Sequence, residues 1–375
     1  MDIFQSKITS ATDVKELAIP FDPDIFFLFI SPSFPNIDGF LKQLNESFPN
    51  TKCIGCSTAG EIIGNEVLDD TIALTAVVFD NTRTEITSVS MKEYLNDSFK
   101  AGKKISEALL ADDLRHIFVL SDGLIVNGAE LVKGLHANIS QKVSITGGLA
   151  GDGYDFGKTF VVHNDKVQSE QIVALGLYGD QLKVGYGSKG GWDSFGIERV
   201  VTKSKDNILY ELDGQPALEL YKSFLGEKAK ELPGSGLLFP LSMRDDEHKI
   251  PVVRTILSVN EDDQSLTFAG NIPQGSYVRL MKANIDRIIN GAEQSAQISK
   301  KGTEDEHQLA FLISCVGRRL VMKQLVEEEV EAVNEVFGNN IYTTGFYSYG
   351  EIAPFDKFSA CTLHNQTMTI TTFSE

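Results

Sequence analysis

The sequence predicts an α/β protein: mixed β-sheets built from repeated strand-helix-strand units, with helices on the outer faces in αββα-like layers. Three observations predict it. A pattern G-x-x-[ST]-x-G-E-I occurs twice, as Gly55-Cys56-Ser57-Thr58-Ala59-Gly60-Glu61-Ile62 and as Gly345-Phe346-Tyr347-Ser348-Tyr349-Gly350-Glu351-Ile352. A short apolar run precedes each copy, and an amphipathic helical stretch lies between run and pattern.

In the first unit the apolar run is Ile25-Phe26-Phe27-Leu28-Phe29-Ile30, ending at Ser31. Continuous apolar runs bounded by small polar residues suit strands buried on both faces. A helix is expected over 37–48, then a short strand into the glycine turn. The last unit repeats this with Leu309-Ala310-Phe311-Leu312-Ile313, ending at Ser314, and a helix over 319–337. In that helix Leu320, Met322, Leu325, Val330 and Val333 have roughly helical spacing. A weaker copy lies between: His116-Ile117-Phe118-Val119-Leu120, Ser121, a helix over 128–139, then Val143 to Thr146 and a glycine-rich turn. Each unit is followed by a β-rich stretch, at 71–79, 171–178 and 358–373. A strand–helix–strand unit favours a parallel pair with a right-handed crossover. The alternation in Val173-Ala174-Leu175-Gly176-Leu177 suits antiparallel strands beside it.

Residues 206–227 read as helical, broken in two at Gly214 and Pro216. Residues 252–280 read as strands and turns. The glycine-rich stretch at 185–192 is the clearest compositional break, dividing the chain into domains 1–190 and 191–375. A length of 375 residues suits two domains, or three.

Composition narrows the function. Hydrophobic residues are 42% and charged residues 23%, which suits packed cores rather than disorder. The net charge of −18 and pI near 4.8 oppose binding to phosphate backbones and anionic lipids, so neither nucleic acid nor membrane is expected as a partner. The N-terminus lacks a signal-peptide pattern, and no run of about 18 apolar residues occurs. Four cysteines, Cys53, Cys56, Cys315 and Cys361, are too few for a disulfide framework. The cytoplasm is the expected compartment.

Several motifs bear on chemistry. Glycines at strand ends supply tight backbone conformations, and α/β sheets gather sites at such ends. Glu61 and Glu351 read either as ligand contacts or as carboxylates that hold their turns. The stretch Gly147-Gly148-Leu149-Ala150-Gly151-Asp152-Gly153 lacks both the G-x-G-x-x-G helix start and the G-K-[ST] of phosphate loops. Cys53-Ile54-Gly55-Cys56 has no second ligand pair for zinc and does not open a helix, so it reads as buried thiols. Cys315 beside Arg318 reads as a packed cysteine or as a thiol of lowered pKa. Arg318 itself reads as a carboxylate partner or as a surface arginine. Of six histidines, His364 stands in an apolar strand beside Asn365, Gln366 and Thr367, and reads as a structural residue or a haem ligand; His163 is the other candidate for a haem. No G-x-S-x-G elbow or H-E-x-x-H is present.

Taken in order, the turns at 55–62 and 147–152, Gly191-Trp192, Glu211-Leu212-Asp213-Gly214-Gln215-Pro216-Ala217, Ser314-Cys315-Val316-Gly317-Arg318, the turn at 345–352 and His364-Asn365-Gln366-Thr367 resemble the FIST (F-box and intracellular signal transduction) family, with an N-terminal FIST domain and a C-terminal FIST-C domain. The resemblance covers nearly the whole chain. It implies a sensory protein that binds a small ligand and acts through a partner such as a histidine kinase; one branch of the family binds haem to sense nitric oxide. The expected ligand pocket lies near Glu61, Asp152, Cys315, Arg318, Glu351 and His364. An enzyme using Glu351, Arg318 and Cys315, and a scaffold without ligand, are the competing readings.

Overall fold

The computed structural model describes residues 1–244, 251–301, 308–338, 341–356 and 359–375. His248 and His307 lie outside the described residues. The mixed α/β architecture expected from the repeats is present, and the repeat occurs three times.

The first unit comprises β1 (Asp2–Ile8), β2 (Ile25–Ile30), α1 (Ile37–Ser47), β3 (Lys52–Ser57), the hairpin β4 (Glu61–Ile63) and β5 (Glu66–Leu68), and β6 (Ile72–Val78). The second runs β7 (Arg83–Ser90), α2 (Ser98–Leu109), β8 (Leu114–Ser121), α3 (Gly128–His136), β9 (Ser144–Leu149), the hairpin β10 (Val161–His163) and β11 (Lys166–Gln168), and β12 (Gln171–Tyr178). The third begins with β13 (Lys183–Lys189) and then accepts an insertion. The inserted strands are β14 (Trp192–Ser194), β15 (Arg199–Lys205), β16 (Ile208–Leu212) and β17 (Gln215–Pro216). After α4 (Ala217–Leu225) come β18 (Leu241–Arg244), β19 (Val252–Arg254), β20 (Ile256–Asn260), β21 (Ser265–Phe268) and β22 (Tyr277–Ala283). The third unit resumes with α5 (Ile285–Lys301), β23 (Leu309–Cys315), α6 (Val316–Met322), α7 (Val326–Phe337) and β24 (Tyr342–Ser348). It ends with the hairpin β25 (Gly350–Pro354) and β26 (Cys361–His364), and β27 (Met368–Ser374).

Sheet order shows how the units join. The three six-stranded sheets run β1-β6-β2-β3-β10-β11, β7-β12-β8-β9-β25-β26 and β13-β27-β23-β24-β4-β5. In each, a parallel pair is flanked by an antiparallel strand of its own unit and by a hairpin from another. Unit one donates its hairpin to unit three, unit two to unit one, and unit three to unit two. The exchange is cyclic, and the register repeats in all three sheets. Ile62, Val162 and Ile352 of the donated strands stand opposite Gly345, Gly55 and Gly147.

Those three glycines are required by close approach. A Cβ at Gly55, Gly147 or Gly345 would lie 2.2, 1.8 and 1.8 Å from the carbonyl oxygen of Leu28, Val119 and Leu312 on the parallel neighbour. Such distances are far inside contact, so any side chain there would push the parallel strands apart.

The residues just before those carbonyls are Phe27, Phe118 and Phe311. Their rings meet on the inner faces of the three sheets with centroid separations of 5.7, 4.7 and 4.8 Å, in edge-on or tilted arrangements that suit aromatic quadrupoles. Phe29, Phe346 and Phe373 extend this shared inner core. The outer faces carry the helices. Phe40, Leu41 and Leu44 of α1 cover Phe26, Leu28 and Ile30, while α2 and α3 cover the second sheet and α5 and α7 the third.

Several expectations change. The helix expected over 319–337 is two helices, α6 and α7, because Lys323 takes a left-handed φ of 53° between them. The first half of the helix expected over 206–227 is strand β16. Register shifts in its pairing with β15 let Leu209 and Leu212 both be buried at a spacing of three, which imitates a helical period. The compositional break at 190/191 falls directly after β13, whose neighbour is the C-terminal β27. Strands from both sides of that break therefore share sheets.

A single consequence is measurable. Phe311→Ala opens the meeting point of all three sheets and is expected to cost about 3–5 kcal/mol of unfolding free energy. Urea denaturation checks this; a loss under about 1 kcal/mol would contradict the shared core.

Candidate functional site

The repeated glycine turns converge. Ala59 N–H donates to Tyr347 O at 2.8 Å, Gly151 N–H to Ser57 O at 3.0 Å, and Tyr349 N–H to Leu149 O at 3.2 Å. In each bond the donor lies four residues after its own unit's close-approach glycine, and the acceptor two residues after that of the unit receiving its hairpin. The turns interlock as a ring. This is the place where the sequence puts Glu61, Asp152, Glu351, Arg318, Cys315 and His364, and the structure does bring the first five to it.

What these groups do there is hold the chain. Glu61, 1% exposed, accepts from the Thr58 hydroxyl, from Thr71 Oγ1 at 2.9 Å and from Thr71 N–H at 3.3 Å. Glu351 repeats the arrangement with Ser348 Oγ at 2.9 Å, Thr367 Oγ1 at 2.9 Å and Thr367 N–H at 3.1 Å. The T-x-x-E and S-x-x-E spacings in the repeat are thus a turn clamp. The middle unit carries extra chain between Gly147 and Val162, and Val161 occupies the glutamate position. Asp122 takes over there, accepting from Glu170 N–H at 3.0 Å. Asp152 ties down the extra loop through Gly157 N–H at 2.7 Å and Lys158 N–H at 2.6 Å, and accepts from the Tyr349 hydroxyl.

Arg318 and Glu329 form a fully buried ion pair, with Nε and Nη2 donating to Oε2 at 3.0 and 2.6 Å. The remaining donors of Arg318 reach Gly190 O and Ile288 O at 3.0 and 2.8 Å. Glu329 Oε1 accepts from Ser314 Oγ at 3.0 Å and Tyr347 Oη at 2.6 Å. Burial without partners would be prohibitive for either charge; this network satisfies both and joins α5, α6, α7, β23 and β24. Its neighbour Arg319 donates to Ala59 O at 2.6 Å and pairs with Asp69, fastening the first turn to α6.

None of the six residues lines a described cavity. Cys315 is buried, and burial, then the Glu351 charge, pushes its thiol well above the ordinary value, the opposite of an activated nucleophile. His364 does not fit a haem: it is 1% exposed, its Nε2 lies 2.7 Å from Ala353 O, and Phe355 packs edge-on against its ring at 4.3 Å. His163 is likewise engaged, with Nδ1 at 2.8 Å from Ser88 Oγ. His116 sits between the hydroxyls of Ser144 and Thr146 at 2.7 and 3.0 Å. The four cysteines are buried free thiols, and no metal-holding cluster occurs among the described residues.

The largest described cavity, about 810 Å³, opens elsewhere. One wall is α3 and the chain after it, with Ala129, Val132, Lys133 and His136, and then Lys142 to Ile145. A second is the donated hairpin, with Pro354, Cys361 and Thr362. The third is the insertion, with Arg254, Asn271 and Pro273. Arg254, 1% exposed, spans two walls: Nε donates to Asn271 O at 3.1 Å and Nη1 to Leu363 O at 3.1 Å and to Val253 O at 3.2 Å. Asn127 caps α3 through the N–H groups of Ala129 and Glu130, and its amide donates to Asn271 Oδ1 at 2.7 Å. Asn271 in turn donates to Glu130 Oε1 at 2.6 Å, which also pairs with Lys133 at 3.3 Å. The groove walls are thus bonded to one another. His136 lines the groove; burial lowers its pKa, and its Nε2 is buried with no partner among the described residues. No local pattern marks these residues, because they come from four distant stretches of sequence.

The pH behaviour of the turn clamp is a test of its structural role. Burial, opposed by the hydrogen bonds from Thr367 and Ser348, pushes the Glu351 carboxyl from 4.5 up to about 8. A folded-state pKa above the unfolded value means that stability is full below the ordinary pKa and is lost as pH rises toward 8. Glu351→Gln presents the same acceptor to Thr367 and cannot ionise. It is expected to gain on the parent, on the order of 2 kcal/mol, between about pH 5 and about pH 8, read from melting curves. A parallel pH profile in both proteins would remove the argument.

Residues 24–215 match the FIST N domain and residues 217–354 the FIST C domain. An uncharacterized protein of Methanocaldococcus jannaschii is 26% identical over 335 residues, covering 81% of this chain; the chain spans 63% of that protein's length. Two solved structures are similar end to end at low scores. A cyanuric acid hydrolase from A. caulinodans has 9% identity and a TM-score of 0.36, covering 99% of this chain and 98% of its own. A chorismatase has 8% identity and a TM-score of 0.33, covering 100% and 98%. Likenesses this weak carry no argument about chemistry. Among the described residues no helix is long and apolar enough to cross a membrane. With both of its domains matched in order, the chain belongs to the FIST family, whose domains are associated with sensing in signal transduction.

Proposed function

We propose that this protein is a sensory, small-ligand-binding component of signal transduction, that its ligand occupies the groove between α3, the β25–β26 hairpin and the insertion, and that occupancy is relayed to a partner such as a histidine kinase. One observation carries the placement. The groove is the one large cavity described whose walls come from three parts of the fold distant in sequence, and ligand sites favour such junctions. A ligand touching all three walls would bias their relative positions, which is what a relay needs.

Ala129 faces the groove from the first turn of α3. Ala129→Trp is expected to fill the space without disturbing the inner core. Native mass spectrometry of the purified protein is expected to show a bound small molecule in the parent and none in the variant. The same adduct in both proteins would place the ligand elsewhere.

A further inference from the structure

We infer that the insertion carries a self-complementary patch through which two copies of this chain pair about a two-fold axis, Ile197 of each copy entering an apolar hole of the other.

The first observation is the hole. It lies between α4 and the inserted strands, away from the groove, and its volume is about 70 Å³. Buried Leu212, Leu241, Leu266, Val278 and Leu280 form its walls. Its polar atoms are already engaged. The Tyr221 hydroxyl donates to Phe239 O at 2.8 Å, and Arg199 pairs with Asp213 at 2.9 Å. Water needs several polar partners and finds none here. A water fits in roughly 10–15 Å³ and benzene in roughly 150 Å³, so this hole suits a short aliphatic group.

The second observation is that the same patch presents such a group. Ile197 stands at the lip of the hole and is 68% exposed. Phe224, also at the lip, is exposed, and so is Tyr277 beside it. These three are all the large apolar side chains that the insertion exposes among the described residues. Because the knob sits at the lip of its own hole, two holes facing each other across a two-fold axis let both knobs enter at once. Each contact is then made twice, as an isologous interface requires.

The third observation is charge. The chain has 52 acidic and 34 basic side chains, so two copies repel over most of their surface. At this lip the described charges balance. Arg199 is the one charged residue lining the hole, and its guanidinium lies 5.3 Å from the Phe224 ring. Glu198 accepts from Arg244 Nε and Nη2 at 2.8 and 2.6 Å, with Arg279 also near it. Arg244 in turn lies 4.2 Å over the Tyr277 ring. With Asp213 these make three arginines against two carboxylates, so a second copy meets no acidic excess here.

Equilibrium sedimentation of the full chain over a concentration series tests this. The parent is expected to show a reversible monomer–dimer equilibrium. Ile197→Asp and Phe224→Asp alter exposed side chains and place a carboxylate against an apolar wall; each is expected to weaken the dimer about ten-fold or more. Leu110→Asp, also at an exposed leucine but in unit two, is expected to leave it unchanged. A parent that stays monomeric at every concentration would give the hole to a different occupant and overturn the inference. A dimer that Ile197→Asp leaves intact, or that Leu110→Asp weakens as much, would overturn its placement at this patch. An assembly that grows past two copies would overturn the two-fold arrangement.

Discussion

The close approach of parallel strands at Gly55, Gly147 and Gly345 is the constraint on which the rest of the structure depends. At each, a carbonyl oxygen of the neighbouring strand fills the space of a missing side chain. The glycine also stands opposite the central residue of a hairpin strand given by another unit. Without those hairpins β3, β9 and β24 would be edges, with backbone donors and acceptors facing nothing. With them each sheet is completed by a different part of the chain, and the three inner faces close over Phe27, Phe118 and Phe311. The groove follows from the same exchange, since one of its walls is the hairpin that unit three lends to unit two.

This arrangement explains why the G-x-x-[ST]-x-G-E-I repeat resembles a binding motif. Two buried carboxylates beside tight turns, with an arginine and a cysteine nearby, are what a catalytic or ligand-binding corner contains. Here every one of those groups has its partners inside the protein. Glu61 and Glu351 bind the hydroxyl three residues back and the threonine just before the following strand. Arg318 is consumed by Glu329 and two carbonyls. Buried charge of this kind fixes one arrangement of α5, α6 and α7 over the third sheet, whatever its net contribution to stability.

The parts legible in the sequence are those governed by short-range pattern. The apolar runs at 25–30, 116–120 and 309–313 became the three central strands, and the glycine turns after them occupy equivalent places. The weakness of the middle copy has a cause: an extra loop displaces its hairpin and moves the capping duty from a glutamate to Asp122. What could not be read is long-range. Nothing local says that β4 pairs with β24 across most of the chain, or that His136, Lys142, Arg254 and Asn271 meet. Period alone also misled at Leu209 and Leu212, where a bulged strand imitates a helix. His364, polar within an apolar strand, was legible as unusual, but its bond to Ala353 O belongs to the β25–β26 hairpin rather than to a ligand.

The central claim is that three exchanged hairpins make three units into one body. Native-state hydrogen exchange, followed by mass spectrometry at increasing denaturant, measures this directly. The account predicts that amides of β4–β5, β10–β11 and β25–β26 open with the same free energy as those of β2, β8 and β23. Hairpins that open well below the global unfolding free energy, while the central strands stay protected, would contradict it.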